Sequence, residues 1–341
     1  MIWPALRDLR FWLLASALIL AIATRVMPGI RLKHDAYDVL AIVDVTGSMN
    51  TPDATAAGEP ASRLEAVKDR LRGLAAKLPC QSRLGFGIFS ERRAFILFTP
   101  VEVCSNFAGV DAAITALDWR MAWEGDSYVA NGIYDAIRYA GDLDANLLFF
   151  TDGHEAPPLP FSGTPKFEGK TGDVKGLIVG VGGIAPTPIP KFDDEGREIG
   201  VLGPEDVMQE NRSGPPPPDA ASRPGYHPKW APYGSATGTG TQHLSSVKEE
   251  HLRLIASLTG LAYTTLDGTN ALLRAFEAAA VPHEVVVETD IRAYPAGLAL
   301  LLLVVVYGLL PLRDRLATGV SAPLSGRRRS RWSTSAKEEY A

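Results

Sequence analysis

Short apolar runs alternate with amphipathic stretches along most of this chain. Tyr37 to Val43, Ala145 to Phe150 and Gly176 to Gly182 are continuous apolar runs of the length that forms strands covered on both faces. Ser62 to Leu78 carries Leu64, Val67, Leu71, Leu74 and Leu78 at helical spacing, and Tyr128 to Tyr139 does the same with Val129, Ile133, Ala136 and Ile137. Arg83 to Ser90 and Arg93 to Val101 read as two strands joined by a tight turn at Glu91 and Arg92, an antiparallel hairpin. Asn106 to Leu117 adds a helix, and Glu249 to Leu258, Ala262 to Leu266 and Asn270 to Ala280 supply a helix, a strand and a helix. Strands alternating with helices predict an α/β fold with a doubly wound, mostly parallel sheet and an antiparallel edge hairpin. The span 35–282, about 250 residues, suffices for one well-buried core.

The stretch 184–246 breaks this alternation. Its prolines, Pro215 to Pro218 among them, and the glycines and threonines from Gly234 to Thr241 exclude a long helix, so it reads as a proline- and glycine-rich insertion at the sheet's edge. Within it, Pro190 to Ile199 has the pattern of a small hairpin turning at Glu195 and Gly196. Asp193, Asp194 and Glu195 read as a solvated acidic turn, since they lack the spaced ligands of a calcium loop.

Both ends of the chain predict contact with a lipid bilayer. Ala293 to Leu312 is an uncharged run bounded by Arg292 and Arg313, long enough to cross a bilayer as a helix. Residues 283–292 connect it to the domain. Phe11 to Thr24 lies between Arg10 and Arg25, within residues 1–34, and reads as an anchor spanning about residues 11–27. A signal peptide cut after Ala23 is the alternative. The tail 313–341 holds Arg313, Arg315, Arg327, Arg328, Arg329 and Arg331, which the positive-inside rule assigns to the cytoplasm. The domain is then outside, in the periplasm of a bacterial inner-membrane protein with both termini cytoplasmic. A net charge of −5 gives no support to nucleic-acid binding. The hairpin register brings Cys80 roughly opposite Val103 and Cys104, and an oxidising compartment predicts a Cys80–Cys104 disulfide.

The candidate chemistry gathers where the apolar runs end. Asp44, Thr46 and Ser48 follow the first run, and Asp152 follows the second in Thr151-Asp152-Gly153. Ser127 sits on the loop leading into the helix from Val129. Ligand sites of open parallel sheets lie beyond the carboxyl ends of the strands, so three separated segments direct hard oxygen donors to one place. Such donors suit a divalent cation, Mg²⁺ first, with Mn²⁺ or Ca²⁺ as alternatives. His154 and Glu155 follow Asp152 and read either as a solvated loop or as groups touching a partner. Trp119 and Trp123 read equally as partner anchors or as packing over a helix. No Ser-His-Asp order or nucleophile elbow is present, and Gly180-Val181-Gly182-Gly183 precedes proline-rich sequence rather than the helix a phosphate loop needs. A phosphoryl-transfer nucleophile at Asp44 would resemble the haloacid dehalogenase-like enzymes, which carry a second aspartate where this chain has Thr46. Binding without catalysis is the expectation.

These residues carry a resemblance. Asp44, Thr46, Ser48, Ser127 and Asp152 match, position by position, the metal-ion-dependent adhesion site of von Willebrand factor A domains, with Thr46 in place of the usual serine and Ser127 in place of the usual threonine. The resemblance implies a Rossmann-like fold over 35–282, and a bound cation whose open position is completed by an Asp or Glu of a protein partner. Asp44 to Asn50, Leu117 to Trp123, Thr151 to Pro158 and Ile189 to Asp194 further resemble the MxaL-type accessory proteins of bacterial methanol oxidation. That resemblance implies a maturation role, in calcium insertion or assembly, for a periplasmic methanol dehydrogenase, with other accessory membrane proteins as further partners. The alternative is an envelope assembly or stress protein of the aerotolerance-related type.

Overall fold

The computed structural model describes residues 8–26, 30–122, 125–156, 159, 163–193, 195–204, 206, 207, 219, 222 and 243–313. They fall into two compact units, His34–Val285 and a second unit made from the described residues up to Lys33 and from Val286 onward.

In chain order the elements are α1 (Leu9–Val26), β1 (Ile30–Ala36), β2 (Asp38–Asp44), β3 (Ala54–Ala56), β4 (Glu59–Ala61), α2 (Arg63–Ala75), β5 (Arg83–Ser90), β6 (Arg93–Glu102), α3 (Phe107–Thr115), α4 (Val129–Asp142), β7 (Asn146–Thr151), β8 (Gly176–Gly180), β9 (Thr187–Pro188), β10 (Pro190–Phe192), β11 (Glu198–Val201), β12 (Leu244–Ser245), α5 (Glu249–Thr259), β13 (Ala262–Thr265), α6 (Thr269–Ala279), β14 (His283–Thr289) and α7 (Ala293–Val304). The main sheet has six strands in the order β13-β8-β7-β2-β5-β6. All neighbours are parallel except β5 and β6, the antiparallel edge hairpin.

Apolar side chains on both faces of the strands explain this two-sided core. Val39, Ala41 and Val43 face one side with Phe86, Phe150 and Val179, where they meet Leu64, Val67, Leu71 and Leu74 of α2 and Phe276 of α6. Leu40 and Ile42 face the other with Phe89, Phe149 and Ile178, against Ile133, Ala136 and Ile137 of α4 and Leu252 and Ile255 of α5. Helix α2 starts where Ser62 accepts the Glu65 N–H at 3.2 Å, a side-chain cap for an otherwise orphaned donor. Helix α4 lies close on the sheet because a Cβ at Gly132 would come 2.1 Å from the Phe89 ring.

The next strand of the main sheet after β2, β5, pairs on one side of it, whereas β7 pairs on the other. The order therefore reverses between β2 and β7, and the carboxyl ends of those two strands open onto the crevice where sheets of this kind bind ligands. Asp44 ends β2, and Asp152 follows the last residue of β7.

The described part of the stretch 184–246 forms two small antiparallel ladders. Strands β9 and β12 pair and so join the two ends of the insertion. Strands β10 and β11 make the hairpin expected around Glu195 and Gly196. In its turn, Asp193 accepts the backbone N–H of Arg197 at 2.8 Å and the Arg197 guanidinium at 2.8 Å, while Asp194 lies outside the described residues. Phe192 stacks on Trp119 with ring centroids 4.6 Å apart, so Trp119 serves here as a packing platform for the insertion.

Cys80 and Cys104 are joined as a disulfide at the end of the edge hairpin. Glu102 holds the same corner, accepting the N–H groups of Gln81 at 2.8 Å, Cys104 at 3.1 Å and Ser105 at 2.6 Å, and the Ser105 hydroxyl. The Ser105 hydroxyl first, and then these N–H groups, lower its pKa from 4.5 to about 2. A depressed carboxylate contributes stability above its unfolded value that is lost as pH falls through the folded one. Stability should thus decline between pH 4.5 and about 2, and Glu102→Gln should flatten that limb while costing less than about 1 kcal/mol at pH 7, since the group is exposed. Acid titration of both proteins by circular dichroism checks this; identical acid limbs would refute it.

In the other unit, α1 spans 18 residues and α7 continues through a π-turn at Val305–Leu309 to give 21 residues ending at Arg313. Both helices are long and apolar enough to cross a membrane by length and composition. They leave Leu18, Ile19, Ile22, Leu300, Leu301 and Val304 more than half exposed, a surface suited to lipid. The molecule is thus built as a membrane-anchored α/β domain. The arginines beyond Arg313 lie outside the described residues.

Candidate metal centre

Asp44 is fully buried at the end of β2. Its Oδ1 accepts the Thr46 N–H at 2.9 Å and the Thr46 hydroxyl at 2.7 Å, and its Oδ2 accepts the Thr151 hydroxyl at 2.6 Å. Burial, then the negative charge of Asp152, push its pKa up from 3.8 to about 7 despite those hydrogen bonds. Two carboxylates thus share one water-poor pocket, an arrangement that costs free energy until a positive charge arrives.

Part of that positive charge is built in. Asp152 Oδ1 accepts the His154 N–H at 2.9 Å, while its Oδ2 accepts the Ser245 hydroxyl at 2.9 Å and Nη1 of Arg63 at 2.5 Å. Arg63 is itself fully buried. Its Nε and Nη2 grip both oxygens of Asp53 at 2.7 Å each, and Nη1 also reaches the Ser245 hydroxyl at 2.7 Å and the Ser48 carbonyl at 3.4 Å. Burial works against the charges of Arg63 and Asp53, but their mutual bonds prevail, so the Arg63 pKa is raised and the Asp53 pKa lowered. Asp53 also accepts the Gly183 N–H at 2.9 Å. Gly183 precedes the insertion and Ser245 lies near its end, so both sides of its base bond into this one cluster.

Ser127 is placed by backbone. It exchanges hydrogen bonds with Ala156 in both directions, at 2.5 and 2.7 Å, and the next N–H, of Tyr128, goes to the Glu91 carbonyl at the top of the edge hairpin. The segment 152–156 is therefore common ground for Asp152 and Ser127. The hydroxyls of Ser48 and Ser127, both buried, have no hydrogen-bond partner among the described residues. An unsatisfied buried hydroxyl costs about 1–3 kcal/mol, so each of them calls for a partner. The donor set Asp44, Thr46, Ser48, Ser127 and Asp152 consists of hard oxygens only and fits a small divalent cation.

The side chains of His154 and Glu155, read from sequence as a solvated loop or as partner contacts, turn inward. His154 is buried with Nδ1 at 3.3 Å from the Ser245 hydroxyl. Glu155 accepts the N–H groups of Val129 and Ala130 at 3.1 and 2.9 Å and meets Nε2 of His251 at 2.9 Å. The reason is α4, whose first N–H groups need an acceptor that Tyr128 at its N-cap does not provide. Glu155 supplies it, and so fixes the helix start next to Ser127. Trp123 lies outside the described residues.

Four participants were missed in the sequence: Thr151, Arg63, Asp53 and Ser245. Arg63 did leave a signal. A cation in the first turn of a helix opposes the helix dipole, and its presence there points to buried acids nearby.

Neither the scan of protein families nor the search of curated proteins found a match. Among solved structures, an aerotolerance-related membrane protein of Bacteroides fragilis aligns at TM-score 0.42 and 16% identity over 71% of this chain and 98% of its own. The conserved hypothetical protein BatB of Bacteroides thetaiotaomicron aligns at TM-score 0.42 and 17% identity over 70% and 95%. An uncharacterized membrane-spanning protein of Vibrio fischeri aligns at TM-score 0.26 and 15% identity over 67% and 91%.

Proposed function

We propose that this chain is a membrane-anchored von Willebrand A module that docks a protein partner through one divalent cation and performs no chemistry of its own. The observation that carries the reading is the pair of buried hydroxyls, Ser48 and Ser127, that no described residue satisfies, on segments that lead from the two buried carboxylates at the switch point of the sheet. Asp44, Thr46, Ser48, Ser127 and Asp152 would hold the cation, Mg²⁺ in preference to Mn²⁺ or Ca²⁺. When bound, it supplies a Lewis-acidic position that a carboxylate of the partner completes. The chain's own residues do the rest. Thr46 and Thr151 orient Asp44, Arg63 and Ser245 orient Asp152, and Glu155 steadies the helix that follows Ser127.

The Cys80–Cys104 bond supports placement of the domain in an oxidising space, and Arg315, Arg327, Arg328, Arg329 and Arg331 support a cytoplasmic tail. Of the two settings implied by the sequence resemblance, we take envelope assembly of the aerotolerance-related type as the general one. A methanol dehydrogenase under maturation would be one special client of the same docking chemistry.

Calorimetry on the full chain in detergent micelles tests the cation. The wild type should bind one Mg²⁺ or Mn²⁺. Ser48→Ala and Ser127→Ala should each weaken binding about tenfold or more while leaving the cation-free thermal midpoint unchanged or slightly higher, because each removes an unsatisfied hydroxyl. Partner capture from membrane extracts should need the cation and vanish with EDTA. Equal affinity in wild type and both serine variants, or capture indifferent to EDTA, would sink the proposal. Asp152→Ala is a poor probe, since it strips Arg63 of a buried counter-charge and should cost about 3–5 kcal/mol of stability.

A further inference from the structure

A buried guanidinium bonded to a cation-holding carboxylate is unhelpful to a site selected for tight cation binding alone. Arg63 Nη1 lies 2.5 Å from Asp152 Oδ2, and the Arg63 side chain has no solvent exposure with which to screen its charge. Its position is enforced from the other side by the two-pronged contact with Asp53. The ionised cluster therefore has three carboxylates, Asp44, Asp53 and Asp152, and one guanidinium. A bound divalent cation brings it to neutrality, and without Arg63 the loaded cluster would keep one negative charge. A negative loaded site repels an incoming carboxylate, whereas a neutral one with an exposed metal position accepts it. Because Asp44, Asp152 and Arg63 are fully buried and Asp53 is partly so, these charges act in a medium of low effective dielectric.

Resting on the cation reading above, we infer that Arg63 tunes the site for anionic partners: it gives up cation affinity in exchange for affinity of the loaded site toward a carboxylate. The partner side chain is thus Asp or Glu, or a free C-terminus, and a neutral amide does not replace it. Arg63 acts through Asp152 and through its charge, as a positioning residue that touches neither the partner nor the metal. Asp53 is its counterweight.

The two roles predict shifts of opposite sign, which a purely structural role does not. The full chain in detergent micelles is loaded with Mn²⁺, whose affinity is read by electron paramagnetic resonance, and acetate affinity is read from Mn²⁺ broadening of the acetate methyl signal. Arg63→Met should bind Mn²⁺ more tightly, on the order of tenfold, and acetate more weakly by a similar factor. Asp53→Asn should do the reverse, binding Mn²⁺ more weakly and acetate more tightly. If Arg63→Met does not fold, Asp53→Asn decides alone. Affinities that fall together, or do not move, overturn the inference while leaving the cation reading intact. A wild type that binds no Mn²⁺ defeats the cation reading itself, and this inference with it.

Discussion

Asparagine in place of Asp44 is expected to abolish cation binding and, in the same protein, to raise stability when no cation is present. The first effect follows from losing a charge at the base of the donor set. The second follows from burial and the neighbouring Asp152, which raise the Asp44 pKa from 3.8 to about 7. The sign is set by proton counts. Between about pH 4 and pH 7 the folded protein keeps a proton on this group that the unfolded chain has already released, so stability falls as pH rises through that window. A rise from 3.8 to about 7 corresponds to roughly 4 kcal/mol. Asparagine keeps an acceptor for Thr46 and gains a donor for Thr151, so the local bonds persist. In EDTA at pH 8 the variant should therefore melt several degrees above wild type, and at pH 4 the two should converge. Adding Mg²⁺ should reverse the order at pH 8 by stabilising only the wild type. A variant that melts below wild type in EDTA at pH 8 would show that Asp44 is not held at a cost.

The largest purely structural effect is expected at Gly176, where β8 begins. Its φ is +144°, and a Cβ there would lie 1.9 Å from the Leu147 carbonyl oxygen of β7. Neither neighbour has room to give, because the obstructing atom is backbone in a buried parallel strand that pairs with β2 on its other side. Gly176→Ala should cost more than about 3 kcal/mol, enough to leave most of the chain unfolded or degraded. Gly47→Ala is the matched control, since a Cβ at Gly47 meets nothing within 4 Å, and it should stay within about 0.5 kcal/mol of wild type. Thermal unfolding of both variants checks the pair. A Gly176→Ala protein that melts with the wild type would mean that β7 and β8 do not approach as described.

Much of the architecture was legible in the chain because the physics that makes each element is local. Continuous apolar runs fall on β2, β7 and β8, and the leucines of α2 keep helical spacing, so element type follows from periodicity. Element ends were less sharp. The helix expected to Leu78 stops at Ala75, where the chain has begun to turn toward the disulfide. The hairpin in the insertion was readable from its Glu195-Gly196 turn, but its resting place on Trp119 was not, since stacking between residues far apart in sequence leaves no periodic trace.

For the site, the sequence by itself determined the donors that end strands: Asp44 and Asp152 follow apolar runs, and side chains just past such runs emerge at the sheet's carboxyl edge. Tertiary structure alone decided that β2 and β7 are neighbours, and hence that these two carboxylates share one dry pocket and raise the Asp44 pKa. It alone turned His154 and Glu155 inward, because α4 needed an acceptor for its first amides and the segment after β7 was the one in reach. It alone delivered Arg63 and Ser245 to Asp152 from the start of a helix and the end of the insertion, and Asp53 to Arg63 from the loop before β3. Strand periodicity and chain termination are written over a few residues, whereas the balance of buried charge is a sum over segments up to 201 positions apart, from Asp44 to Ser245, and exists only once packing has excluded water from between them.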